Sequence, residues 1–543
     1  MNFLIKSIKF NFIILISIFL GICFILFQFY FLFHYLDIDV ANYYIQILKK
    51  ELFHPHHLFY NFLGWIWLQL FSNLDFSPFF QLKLMNIIIG GIGTSILYLL
   101  FYQYSNKFIL SLLFVLYFIL SFDYVFYSQI NDTAFLPLFV NLIYIFYILK
   151  IKKINLNQII FLAFLHTIAI GFHQTNLFLV FVGIIKILSE KNKKSIIYMI
   201  LYVFFTFIFV ALLYITIGYY ILGYNFDENI KKRIPGIPGG GNFFDWVLMY
   251  GHWDKELKWG TFERNNLVLK SIFTFSNALF VHKIYYYNQF KKAFLSFFDF
   301  IVNPNSIISI EQFLLVIFLI ILIFHIILSI FIIKRNLFIL GVLLWFLFQS
   351  FLIIWWEPTN KEFWLIPLFS FIFLQFININ EILEYIKTKY IFIICYYIIN
   401  FLLFLWILLI FTNNYKNFYI TSRYKTFYGH WEDLYDQNFF QNILKNDIKI
   451  SFPLKQEEEY LLQQKLIQLD YLRRKLLKKE NQIYFNFYIK QFENIILSLE
   501  KLKENNSEFS LNEELIENFK QELDLIKNHY EEWYKENIKN QTQ

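Results

Sequence analysis

The stretch FNFIILISIFLGICFILFQFYFLF, residues 10–33, carries no charged side chain and no proline. A helix rises about 1.5 Å per residue, so a run of this length crosses the roughly 30 Å hydrocarbon layer of a bilayer. The run is longer than the apolar core of a signal peptide, has no small-residue cleavage motif and leads into further apolar runs, so it reads as a retained membrane helix. Similar runs centre near Ile92, Phe114, Asn141, Leu165, Phe181, Phe207, Ile321, Leu344, Phe371 and Phe404. With the first, centred at Ser17, they amount to about eleven transmembrane helices. The expected fold is all-α and polytopic, with external loops and a soluble helical tail. Composition agrees: 58% of the 543 residues are hydrophobic, 73 are Phe, and only 16% are charged. A soluble domain has too little interior for that much apolar surface, whereas lipid solvates such helices on every face. Cys23 and Cys395 both lie in apolar runs and form neither a disulfide framework nor a zinc motif. The net charge of +7 is not gathered into a basic face, so nucleic acid is not an expected partner.

Orientation follows from the short loops that carry Lys and Arg. Lys6 and Lys9 precede the first span. With ends alternating, the same side receives Lys107, Lys150 with Lys152 and Lys153, Lys191 with Lys193 and Lys194, Lys334 with Arg335, and Lys387 with Lys389. This places the N-terminus in the cytoplasm, in a multi-pass protein of the kind expected in a bacterial cytoplasmic membrane. The opposite, external face receives a first loop from about Phe33 to Lys83, the turn FYSQINDTAF, a polar stretch from about Gly223 to Ser309, and the loop WWEPTNKEFWLIP. Three domains are expected: a transmembrane domain over 1–411, an external linker over 412–450, and a helical hairpin or coiled-coil-like domain over 451–543. In the last, Leu462, Leu466, Leu469, Leu472 and Leu476 recur at intervals of three and four, an amphipathic helix pattern that needs a covering partner. GIPGGG at 236–241 lacks the Lys-Ser/Thr of a phosphate loop and reads as a loop.

Ionisable residues concentrate in the first loop. Asp37, Asp39, His54, His56 and His57 lie within about twenty residues of one another, between two stretches held in or on the membrane. His and Asp are good ligands for divalent metals, and His54 with His56 are the candidate ligands if one is used. Their spacing is not that of a helical metal motif, and Pro55 imposes an extended or turned backbone on the residue before it. His166 and His173, with Gln174 and Asn176 nearby, form a polar cluster in or near the fifth span, where helix-to-helix hydrogen bonding is the plainer reading.

DVANYY, FHPHHLFYNFLGWIWLQLF and QLKLMNIIIGGIGTSILYLLFYQY resemble, in order and spacing, the opening of the C-type glycosyltransferase superfamily. Protein O-mannosyltransferases and lipid A aminoarabinose transferases belong to that superfamily. Asp39 with Tyr43, His54-Pro55 and the Gly90-Gly91 span are similar to its first acidic motif, His-Pro motif and second span. Asp132 in SQINDTAF stands where the superfamily has a second acidic position, and EPTNKEFWLIP resembles its late Pro-containing motif. The resemblance covers roughly residues 1–410. It departs from the pattern near the late motif, where the basic residue is only Lys361, flanked by Glu357 and Glu362. It implies transfer of a sugar from a polyprenyl-phosphate donor to an external acceptor hydroxyl, with membrane lipid as the donor's solvent. Such transfer needs a base near the acceptor and positive charge near the departing phosphate. Asp39 and Asp132 are then the catalytic candidates. Tyr43, His54, His56, His57, Glu357, Lys361 and Glu362 are the candidates for binding substrate. Two other classes stand beside this one: a transporter or flippase of a lipid-linked or polar substrate, and a non-catalytic membrane subunit whose helical tail docks a protein partner.

Overall fold

The computed structural model describes residues 2–32, 35–36, 43–44, 46–48, 50–74, 76, 78–151, 153–190, 193–224, 226, 243–248, 267–281, 287–303, 308–356, 361–387, 391–423 and 427–428, with a few positions between 493 and 524. Among the described residues, seven helices are long and apolar enough to cross a membrane: Asn11–Tyr30, Phe80–Ser105, Ser195–Ile221, Ile310–Ile332, Phe338–Trp355, Glu362–Ile386 and Ile391–Tyr415. Four shorter apolar helices, Phe108–Ile119, Phe135–Lys150, Leu156–Phe172 and Gln174–Ser189, occupy the remaining expected spans. Each expected centre therefore falls in an apolar helix, but four helices are shorter than a full span. The causes are local. The Ser121 side chain accepts from the Tyr124 amide and starts a separate short helix, Phe122–Tyr127, which cuts the third run. His173, in extended conformation, ends Leu156–Phe172 and opens a 3-10 helix over Gln174–Leu179.

The first helix, Asn2–Tyr30, packs against Pro78–Ser105 through small residues. Ser17 and Gly21 on one helix meet Gly91 and Ser95 on the other, and the Ser95 hydroxyl donates to the Ser17 carbonyl at 2.8 Å. A Cβ added at Gly21 would lie 2.6 Å from the Gly91 carbonyl oxygen. Close backbone approach of this kind lets membrane helices associate without a hydrophobic driving force. The most enclosed of the seven spans is Glu362–Ile386. Aromatic rings of neighbouring helices fill the space around it: Phe376 lies 4.5 Å from Phe101, and Phe371 lies 5.5 Å from Phe346.

The helix Ile391–Arg423 continues past residue 411, so the expected linker begins inside a helix. Beyond it, Phe427–Tyr428 pairs in parallel with Tyr35–Leu36, a two-residue departure from an all-helical chain. The tail's Leu stripe and the GIPGGG segment lie outside the described residues.

Candidate functional site

His54-Pro55-His56-His57 forms a tight turn, with the His57 amide donating to the His54 carbonyl at 3.1 Å. The turn stacks the His54 and His57 rings at 4.2 Å and brings His56 to 5.7 Å from His54. His57 leads into the helix Tyr60–Leu70, and the ring of Tyr43 packs between His57 at 4.9 Å and Tyr60 at 5.5 Å. His56 and His57 are buried, whereas Tyr43 and His54 are partly open.

The turn is held from behind by residues far along the chain. The Gln174 amide N–H donates to the His56 carbonyl at 3.1 Å. Its side-chain Nε2 lies within hydrogen-bond distance of the Pro55 carbonyl, the Tyr214 hydroxyl and the Val247 carbonyl. The Tyr214 hydroxyl also donates to the Pro55 carbonyl, at 2.8 Å. Gln174 is fixed in turn by a buried network. His166 Nε2 donates to the Asn176 carbonyl at 3.1 Å, which leaves Nδ1 to accept from Tyr202 at 2.8 Å. Tyr202 then accepts from Tyr144 at 2.7 Å. Asn141 donates to the Asn176 side chain at 2.8 Å, and Asn176 donates to the Ala169 carbonyl at 2.8 Å. These helix-to-helix bonds match the reading given to His166. His173 has a further position that spacing does not reveal. Its ring lies 6.5 Å from His57 and 5.7 Å from Phe363, and its Nδ1 accepts from the Thr175 amide at 3.2 Å. Burial pulls its imidazole down to about 4, so the ring stays neutral near pH 7 with the proton on Nε2.

Asp132 lies at the same end of the bundle, 3% exposed. Its turn is tied to the first helix by Gln28, which donates to Ser128 at 2.6 Å and to the Val125 carbonyl at 3.2 Å. Gln129 donates to the Phe31 carbonyl at 3.1 Å, and Asn86 donates to the Ile130 carbonyl. The Thr133 amide donates to the Asp132 carboxylate, and the Thr133 hydroxyl donates to Glu362 at 3.2 Å. Asp132 and Glu362, from distant loops, are thus joined through Thr133, which lies 229 positions before Glu362. Tyr60 links this pair to the His-Pro turn. Burial holds its phenol well above the usual range; a hydrogen bond with Asn86 opposes that rise, and the nearby charges of Asp132 and then Glu362 add to it. Lys83 is a further residue that spacing-based reasoning missed: a buried cation near the start of the same helix as Asn86.

Of the expected site residues, the structure brings together Tyr43, His54, His56 and His57 around the first turn, and Asp132 with Glu362 around Thr133. Asp37, Asp39 and Glu357 lie outside the described residues, as does the side chain of Lys361. Among the described residues, no three His, Cys, Asp or Glu side chains assemble as a metal site.

The fold defines an all-α, multi-pass membrane protein with carboxylates and imidazoles gathered at one end. No family model and no curated protein matches the sequence. Among solved structures, the chain is similar to the crystal structure of the Archaeoglobus fulgidus oligosaccharyltransferase in the apo form, with 13% identity and a TM-score of 0.42. The match covers 82% of this chain and 61% of that one, so this chain spans about three fifths of that protein's length.

Proposed function

We propose that the chain is a membrane glycosyltransferase that moves a sugar from a polyprenyl-phosphate donor to an external acceptor hydroxyl. The observation that carries this reading is the junction of Asp132 and Glu362 through Thr133, beside the His-Pro turn. In the reaction, the acceptor oxygen bonds to the anomeric carbon, the bond from that carbon to the phosphate oxygen breaks, and the acceptor's proton passes to a carboxylate. Asp39 is that base, and Asp132 with Glu362 orients the acceptor. His54, His57 and Lys83 meet the phosphate as negative charge develops on it. The donor's isoprenoid tail stays among the lipids while its head group meets this end of the bundle. The Lys and Arg pattern puts this end outside and the N-terminus in the cytoplasm. A divalent metal, if bound, would be held by His54 and His56 and would neutralise phosphate charge.

The test is reconstitution of the full chain in vesicles with polyprenyl-phosphate sugars and a mixed acceptor pool, following release of polyprenyl phosphate. Asp39→Asn and Asp132→Asn are each expected to slow transfer by about 100- to 10,000-fold, the usual loss on removing a general base or its partner. Wild-type rates in both variants would overturn the reading.

A further inference from the structure

We propose that the helix Tyr287–Val302 lies in the membrane surface as an amphipathic anchor. Acyl chains would cover Leu295, Phe298 and Val302, and anionic lipid headgroups would meet Lys291 and Lys292. At 100° per residue, Lys291, Leu295, Phe298 and Val302 form one stripe along this helix. The opposite face, with Ala293 and Phe297, is buried. Along the stripe, Leu295, Phe298 and Val302 are 55%, 54% and 84% exposed, and the adjacent Ile301 is 59% exposed. Single exposed apolar side chains are ordinary on a protein surface; a continuous row of them calls for a partner.

Two observations select lipid as that partner. The first is continuity with the span that follows. Phe297, on the buried face, lies 5.9 Å from Phe313, so the helix packs against the first turns of Ile310–Ile332 and turns its stripe away from that span. The outward side chains of that span, Ile310, Ile320, Ile323 and Phe324, are themselves exposed and face the acyl chains. The second is the order of charge. Lys291 opens the stripe and Lys292 flanks it, with Asp299 further along the same flank, and the long lysine stems let the ammonium groups rise to the headgroups while Leu295, Phe298 and Val302 stay deeper.

The experiment uses the full chain with Cys23 and Cys395 replaced by Ala, and a single Phe298→Cys carrying an environment-sensitive fluorophore. Vesicles of phosphatidylcholine alone are compared with equal parts of phosphatidylcholine and phosphatidylglycerol. The label is expected to be shielded from iodide and quenched by brominated acyl chains. Shielding should be stronger with phosphatidylglycerol, and that increment should vanish in the Lys291→Glu, Lys292→Glu variant. Free quenching by iodide would overturn the proposal. Shielding that grows with the protein-to-lipid ratio would overturn it in favour of a second copy. Because the readout needs no turnover, it stands or falls independently of the glycosyltransferase reading.

Discussion

Replacing Gly21 by Ala tests the close helix crossing where the first span meets the second. The added methyl would sit 2.6 Å from the Gly91 carbonyl oxygen and 2.3 Å from Ser95 Oγ. The serine can rotate; the carbonyl cannot. Moving that oxygen out to the 3.4 Å of ordinary contact parts the helices by about 0.8 Å. The Ser95-to-Ser17 hydrogen bond, 2.8 Å at present, then stretches past useful length. Its loss costs about 0.6 to 1.7 kcal/mol, the range for hydrogen bonds between membrane helices. Overpacking adds about 1–3 kcal/mol. The expected destabilisation is therefore about 2–5 kcal/mol, read as equilibrium unfolding in mixed micelles by circular dichroism. The effect should extend to the site, because Gln28, two turns further along the same helix, holds the turn that carries Asp132. Ile22→Val, at a lipid-facing neighbour, serves as control and should change stability little. Gly21→Ala as stable as the parent would show that the helices do not approach this closely and would refute the packing argument.

Thr133→Val removes the hydroxyl that donates to Glu362 while keeping the side-chain volume. Transfer should slow about tenfold, the equivalent of one lost hydrogen bond to a charged group, and an unchanged rate would separate Glu362 from the site. Tyr202→Phe leaves His166 Nδ1 and the Tyr144 hydroxyl without partners. Thermal unfolding should show a loss of about 1–3 kcal/mol, whereas Tyr198→Phe, which lies outside the network, should show none. For pH, His173 is held neutral by burial, with a folded value of about 4 against an ordinary 6.5. The unfolded chain therefore binds the proton first, and stability falls as pH drops from 6.5 towards 4, by about 1.4 kcal/mol per pH unit from this group. His173→Gln should flatten that part of the pH–stability curve, and an unaltered curve would place the ring in water.

The apolar runs were legible because a lipid-facing helix must be apolar along its whole length, which a single sequence displays directly. Less legible was where such a run breaks. Ser121 and His173 each divide one, and each acts through a hydrogen bond that spacing cannot show. Asp132, Glu362 and the His-Pro turn were all readable as polar residues at one face, yet their convergence depends on how distant helices pack. Thr133 carries no signal in the sequence. Tyr60 looks like one more aromatic residue of an interfacial helix, and only its neighbours give it a role. Gln174 reads as one member of a polar cluster near the fifth span, whereas the partners of its side chain come from three separate parts of the chain.

The span Glu362–Ile386 explains why Glu362 can serve at a fixed depth. A purely apolar helix can slide along the membrane normal at little cost, because lipid replaces one contact with another. This helix is pinned at three levels. Thr133 holds Glu362 at one end. In the middle, Asn378 donates to Ser329 at 2.8 Å and to the His325 carbonyl at 3.1 Å. At the far end, Lys107 donates to Asn380 at 2.6 Å and pairs with Glu384, while Asn336 donates to Glu381 at 2.8 Å. A slide of one helical turn, about 5.4 Å, would break all three levels and strand their polar groups away from water. The bonds far from the site therefore set the position of the carboxylate within it, and Lys107→Ala should disturb Glu362 without touching it.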